Sequence, residues 1–167
     1  MTVAEAEDHS DTTPISRPAA RVVLIDAKDR CLLFRWKPPN VWITLGGGLE
    51  ASETYEQAAL RELWEETGLT GVELGPWVWS RTTVFKWRGV LYEAHEQFYL
   101  IRVQEHTVSL DGLDSVEVEE MTEYKWWSTE EILAAKDVET FASRRLGELL
   151  PPLIAGKIPP VPIETGT

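Results

Sequence analysis

Long hydrophobic runs, cysteine and clustered positive charge are all scarce in this sequence, and each scarcity removes a class of function. No window approaches the roughly 20 apolar residues of a membrane span. The opening MTVAEAEDHSDTTPISRP has no basic segment leading into an apolar one, so neither a targeting leader nor a membrane partner is expected. Cys31 is the single cysteine; it cannot close an internal disulfide, and its place in the apolar run CLLF reads as a buried structural thiol in a reducing cytoplasm. Lys and Arg number 16 against 28 Asp and Glu, a net charge of -12. With no basic run to offset that charge, bulk nucleic acid is not expected as a partner, whereas a small phosphate ligand carried in with a divalent cation remains compatible.

At 167 residues the chain is long enough for one domain with a hydrophobic core and short for two. Residues 1–17 are small, acidic and end near a proline, a composition that reads as a loose tail. Residues 151–167, PPLIAGKIPPVPIETGT, carry five prolines and read as an extended tail. Between them, in residues 18–150, the pattern alternates strand and helix. AARVVLID (19–26) and CLLFRW (31–36) read as a hairpin, VWITL (41–45) as a short strand, and 72–87 with 90–103 as a second hairpin turning at Arg88 and Gly89. YKWWS (124–128) reads as a last strand, followed by a helix capped by Ser128 or Thr129 and another over about 139–150. Strands with helices interspersed on both sides imply a three-layer α/β/α domain around a mixed sheet.

Thr54 and Gln57 make a capping box and Gly68 a terminator, so a helix is expected over about 55–67. On a helical wheel Glu62, Glu65 and Glu66 fall within about 100° of one another, while Ala59, Leu60 and Leu63 point elsewhere, toward a sheet. Like charges three and four residues apart repel. A hard divalent cation such as Mg²⁺ or Mn²⁺, which takes oxygen ligands, turns that repulsion into affinity; a solvated acidic helix face is the competing reading. Arg61 can pair with Glu65 or Glu53, and the run Gly46, Gly47, Gly48 lets a ligand approach the main chain.

The segment spells G-x5-E-x7-R-E-U-x-E-E-x-G-U through Gly47, Glu53, Arg61, Glu62, Leu63, Glu65, Glu66, Gly68 and Leu69, where U is a bulky aliphatic. Chance agreement at seven fixed positions is on the order of 10⁻⁸ per starting point. The segment resembles the signature box of the Nudix hydrolase family. The resemblance implies the Nudix α/β/α sandwich and hydrolysis of a nucleoside diphosphate linked to a moiety X, with Mg²⁺ or Mn²⁺. It implies Glu62, Glu65 and Glu66 as metal carboxylates, a carbonyl from Gly46, and Arg61 and Glu53 holding loop and helix in register. Two departures bear on loop shape: Leu45 stands where the family often has Pro, and Ser52 where Gly is common.

Family branches differ in the general base, which the resemblance places either at Glu62 or on a later loop. In SVEVEEMTEY the expected residue is Glu120, with Glu119 and Glu117 behind it. For the substrate's organic half, Trp42 or Trp36 is a candidate for stacking on a base, and Arg35 and Arg81 for meeting phosphates; packing and surface roles compete for each. His95 is given no role. The expected activity is hydrolysis of a small nucleoside diphosphate linked to X, such as a nucleotide sugar or an ADP-ribose-like compound. A nucleoside triphosphate pyrophosphatase and a nucleotide-sensing module without turnover stay open as alternatives, as does a homodimer.

Overall fold

The computed structural model describes residues 13–166. In chain order the elements are β1 (Ile15–Ile25), β2 (Cys31–Trp36), β3 (Val41–Gly48), α1 (Tyr55–Thr67), β4 (Trp77–Trp87), β5 (Val90–Arg102), α2 (Ser115–Glu120), β6 (Met121–Trp127), α3 (Thr129–Ala135), β7 (Phe141–Ala142), α4 (Leu146–Ile154) and β8 (Ile163–Glu164). The strands form one mixed sheet in the order β6-β2-β3-β1-β5-β4-β8, with β7 added beside β3. Its spine is the parallel pair β1 and β5, in register from Ile15 with Tyr92 to Ile25 with Arg102. A parallel pair needs a crossover, and here that crossover contains α1.

Central strands are apolar at consecutive positions because both faces of the sheet are covered. Val22, Leu24, Leu32, Phe34 and Leu45 pack with Ala58, Ala59 and Leu63 of α1. Val23, Ile25, Leu33, Trp42 and Phe98 pack with Ile132 of α3 and Leu146, Leu149, Leu150 and Leu153 of α4. The three-layer α/β/α arrangement expected from the sequence is therefore present, with α1 on one face and α3 and α4 on the other.

Several local expectations are corrected. β1 and β2 are joined by the turn expected of a hairpin, but they pair only at Ile25 with Cys31. Beyond that point β3 lies between them, paired to β1 from Ala19 with Gly48 to Val22 with Leu45. The turn itself is tied by the Asp26 carboxylate, which accepts from the Lys28 and Arg30 amides and from the Arg30 guanidinium. Residues 72–76 stay outside β4. β1 begins at Ile15, so residues 15–17 belong to the sheet rather than to a tail; residues 1–12 lie outside the described residues. The helix expected over 139–150 starts at Leu146, after β7.

The proline-rich end is also not simply extended. Pro151 and Pro152 sit inside α4, where each costs up to roughly 3 kcal/mol. Against this, four buried leucines contribute about 2 kcal/mol each, and both prolines lie on the exposed face. The last strand, β8, then returns beside β4.

The helix α1 that carries the glutamates is bounded as its sequence implies. The Thr54 side chain accepts from the Gln57 amide at 3.1 Å and the Gln57 side chain accepts from the Thr54 amide at 2.9 Å. Gly68 closes the other end in the left-handed region with φ 75°. Just before the cap, Ser52 holds φ 65°, a conformation that costs a residue bearing a Cβ about 1–2 kcal/mol. Two opposite outcomes are expected in urea unfolding. Thr54→Ala should lower stability by about 1 kcal/mol, and Ser52→Gly should raise it by up to about 1 kcal/mol, both at unchanged m-value; a Ser52→Gly variant no more stable than the parent would refute strain at this turn.

Candidate active site

Gly46 to Gly48 close β3, the chain turns through residues 49–54, and α1 runs back beneath that turn. Leu63, Ala58 and Ala59 anchor the helix on the sheet, which leaves Glu62 and Glu66 directed at the end of β3. Glu66 is 2% exposed and its carboxylate accepts from the Gly46 amide at 3.1 Å. Gly47 has no room for a side chain, since a Cβ there would stand 2.5 Å from the Glu62 carboxylate.

Arg61 holds this loop and helix together. Its Nε and Nη2 donate to the two Glu53 oxygens at 2.8 and 2.9 Å, Nη1 donates to Glu62 at 2.9 Å and Glu65 at 3.1 Å, and Nη2 also donates to the Gly48 carbonyl at 3.0 Å. Chiefly through the bond to Glu53, these partners raise the Arg61 pKa and hold its charge in place. Glu53 is correspondingly pulled below the usual carboxylate range by Arg61.

A third carboxylate joins Glu62 and Glu66 from outside the box. Oxygens of Glu62, Glu66 and Glu117 lie within 4.8 Å of one another. Burial first, and neighbouring carboxylates second, push all three upward: Glu66 well above its ordinary value, Glu62 in the same direction despite Arg61, and Glu117 to about 7. At such a separation two unit charges repel by roughly 3–4 kcal/mol at an effective dielectric of 20, far more than the tenths of a kcal/mol of an exposed helix pair. Converging oxygen ligands, deprived of water and of enough positive charge, fit a hard divalent cation.

The other expected site residues fall in different places. Glu65 bonds Arg61 and lies outside the cluster of three. The Gly46 carbonyl accepts from Arg21 Nη1 at 3.2 Å, so that group is held by a side chain. Glu120 is directed away from the cluster: its oxygens accept from Trp87 Nε1 at 3.3 and 3.4 Å and from Arg88 at 3.2 Å. Glu117, ranked behind it from the sequence, takes the position beside Glu62 and Glu66.

The three expected substrate residues are each engaged by partners within the protein. Arg35 bonds Glu139 at 2.7 Å and Glu123 at 3.0 Å and lies over the Trp42 ring. Trp42 is 2% exposed, packed edge-on against Trp127. Arg81 is buried and donates to Glu96 at 2.5 Å, and Glu96 also accepts from Arg21 at 2.9 Å. This buried triad of two arginines and one glutamate braces Arg21, which in turn holds the Thr44 and Gly46 carbonyls. Sequence reasoning missed Arg21 and Glu96 because their partners are distant in the chain. For Glu117 a signal was present: Asp114 caps a helix three residues before it and accepts from its amide at 2.8 Å.

A cleft of about 420 Å³ is a different feature. Trp79, Leu149, Pro152, Ile158 and Ile163 line it, and none of Glu62, Glu66 and Glu117 does. The convergence of ionisable groups, rather than cavity size, therefore marks the candidate site.

Comparison with known proteins agrees with this geometry. Residues 15–148 match the NUDIX domain family. The NAD-capped RNA hydrolase NPY1 of Saccharomyces cerevisiae is 27% identical over 145 residues, 81% of this chain and 34% of that protein. An RNA pyrophosphohydrolase of Caulobacter vibrioides is 45% identical over 64 residues, 36% of this chain and 37% of its own. The chain thus spans little more than a third of the length of either relative. Among solved structures, the MutT protein from Methanosarcina mazei Go1 superposes with a TM-score of 0.63 at 23% identity, covering 82% of this chain and 94% of that one. With the family matched across most of its length, with the box glutamates gathered at the end of β3, and with the same sandwich in a solved relative, this chain belongs to the Nudix family.

Proposed function

We propose that this protein hydrolyses a phosphoanhydride linkage in a small nucleoside diphosphate joined to a moiety X, with a divalent cation held by Glu62, Glu66 and Glu117. The observation that carries the reading is the buried cluster of those three carboxylates at the mouth of the glycine loop. The chain's similarity to an NAD-capped RNA hydrolase and an RNA pyrophosphohydrolase supports hydrolysis of a phosphoanhydride here. The net charge of -12 favours a compact substrate over extended contact with a nucleic-acid backbone. A single buried thiol accords with a cytoplasmic setting.

When bound, Mg²⁺ or Mn²⁺ supplies neutralisation of the anionic phosphate oxygens and makes a water easier to deprotonate. The chain's residues do the rest. Glu62 and Glu66 offer ligand oxygens from one rigid helix face, and the bond from the Gly46 amide fixes the Glu66 rotamer. Glu117 approaches from α2 and, through an oxygen not given to the cation, would accept the proton of the attacking water. Arg61 and Glu53 position the glycine loop against the helix, and Glu65 braces Arg61. Glu120, bonded to Trp87, acts on the shape of the adjacent surface.

The raised carboxylate pKa values also set a pH dependence. A carboxyl whose pKa is higher folded than unfolded binds more protons in the native state, so its contribution to stability is greatest at low pH and falls as pH rises through the folded value. For Glu117 that window runs from its ordinary value of 4.5 to about 7, and Glu62 and Glu66 act in the same direction. A cation displaces these protons. Mg²⁺ should therefore raise the melting temperature more at pH 8 than at pH 5.5, with tighter apparent binding at the higher pH; an equal gain at both would refute proton displacement from the cluster.

Glu66→Gln should lower Mg²⁺-dependent turnover across a panel of nucleotide diphosphates by orders of magnitude, while raising the melting temperature of the metal-free protein at pH 8. Near-parental turnover in that folded variant would overturn the metal assignment. Glu117→Gln should reduce the single-turnover rate about 10²- to 10⁴-fold, and Glu120→Gln much less, because the amide oxygen it introduces can still accept from Trp87. The reverse order would restore Glu120 as the base, and ligand binding without cleavage by the parent protein would make it a sensor.

A further inference from the structure

Glu117 meets Glu62 and Glu66 although its own helix has nothing to dock it. α2 is six residues long and none of them is buried; a helix so short and without an apolar face does not hold its own position. One Glu117 oxygen is buried without a hydrogen-bond partner among the described residues. Where Glu117 lies is therefore decided by the chain at the two ends of α2. At the far end the Glu120 carbonyl accepts from the Lys37 amide at 2.9 Å, and buried Met121 opens β6.

The near end is a strap, residues 103–113, fastened to the C-terminal turn of α1. The Thr67 carbonyl accepts from the Ser109 amide at 2.9 Å and from His106 Nε2 at 2.7 Å. A carbonyl only accepts, so Nε2 carries the ring proton. Carbonyls in the last turn of a helix have no partner within it, and that of Thr67 takes both of its donors from the strap. Val108 and Leu113 add apolar contact with the cluster beneath α1.

Gly112 makes the closest approach. A Cβ there would stand 2.8 Å from both the Cα and the carbonyl oxygen of Glu65. Backbone atoms cannot swing aside as a side-chain tip can, so any residue larger than glycine lifts the strap off α1. Asp114 follows and caps α2, accepting from the Val116 and Glu117 amides at 2.9 and 2.8 Å. A displacement at Gly112 is thus handed on to Glu117 through a single turn of chain.

We propose that this strap is the positioning device for Glu117: seated by Gly112 on Glu65 and clamped by His106 on Thr67, it makes α1 the common reference for all three carboxylates. Gly112 and His106 act through Glu117 and are positioning residues. The assignment rests on the reading of Glu62, Glu66 and Glu117 as the cation site of a hydrolase.

A double-mutant cycle on the whole chain tests it, read both as single-turnover rate on the nucleotide panel and as Mn²⁺ affinity from the paramagnetic resonance of the free ion. Gly112→Ala should lower the rate about 10- to 100-fold and weaken Mn²⁺ binding about tenfold. In a Glu117→Gln background the same change should alter either by less than about twofold, because the residue the strap delivers is already gone. His106→Leu should behave alike, and His106→Gln, which restores a side-chain N–H donor of similar reach, should recover most of the loss; this pair decides the matter if Gly112→Ala does not fold. Parental values in both Gly112→Ala and His106→Leu, a Glu117→Gln variant equal to the parent, or losses that multiply with that of Glu117→Gln overturn the proposal. Metal-dependent turnover with multiplying losses leaves the hydrolase reading standing without the strap. Non-additive Mn²⁺ affinities in a protein that turns over no nucleotide support the strap and refute the hydrolase reading, and a parent that binds no Mn²⁺ overturns both.

Discussion

The Arg61 guanidinium is the contact on which the site depends. It has five N–H donors, and five bonds use them: two to Glu53, one each to Glu62 and Glu65, and one to the Gly48 carbonyl. A guanidinium that is planar and permanently charged can hold three carboxylates and a backbone oxygen in one fixed pattern, which a lysine ammonium with three rotatable donors does not reproduce. Because those partners come from the end of β3, the turn after it and two positions on α1, one side chain decides both the height of the loop over the helix and the direction of Glu62.

Around this contact the protein buries carboxyl groups that folding alone would leave in water. Glu62 and Glu66 are 7% and 2% exposed, and burial opposes their ionisation. The leucines and alanines on the other side of α1 supply the apolar contact that keeps the helix docked in spite of this cost. Arg21, braced by Glu96 and Arg81, sets the opposite wall by holding the Gly46 carbonyl. Gly46 itself cannot be replaced without conflict, because a Cβ at its φ of 139° would run into the Ala20 carbonyl. The site is thus fixed from both sides by arginine on backbone carbonyl, with glycine between.

What could be read from the sequence was what neighbouring residues decide among themselves. Thr54, Gln57 and Gly68 specify the ends of α1 locally, and the spacing of Glu62 and Glu66 puts them on one edge whatever lies above. Pairings that cross the chain were not legible. The apolar runs of β1 and β2 look the same whether they pair fully or, as here, part to admit β3. Arg35, Arg81 and Trp42 looked available for substrate because their partners, Glu139, Glu96 and Trp127, stand 104, 15 and 85 positions away. The choice between Glu117 and Glu120 turned on where a six-residue helix begins, a matter of one turn.

The two sources of carboxylate differ in how much structure depends on them. Glu53, Arg61, Glu62 and Glu66 sit on one continuous loop and helix, where a change at Arg61 disturbs several partners at once. Glu117 is carried by a helix with no buried residue, on a segment that packs little against the sheet. Insertions, deletions or a shift of one turn there cost the core nothing. A change at Glu117 therefore alters the acidic cluster and the surface beside it while leaving the packing of α1 on the sheet as it is.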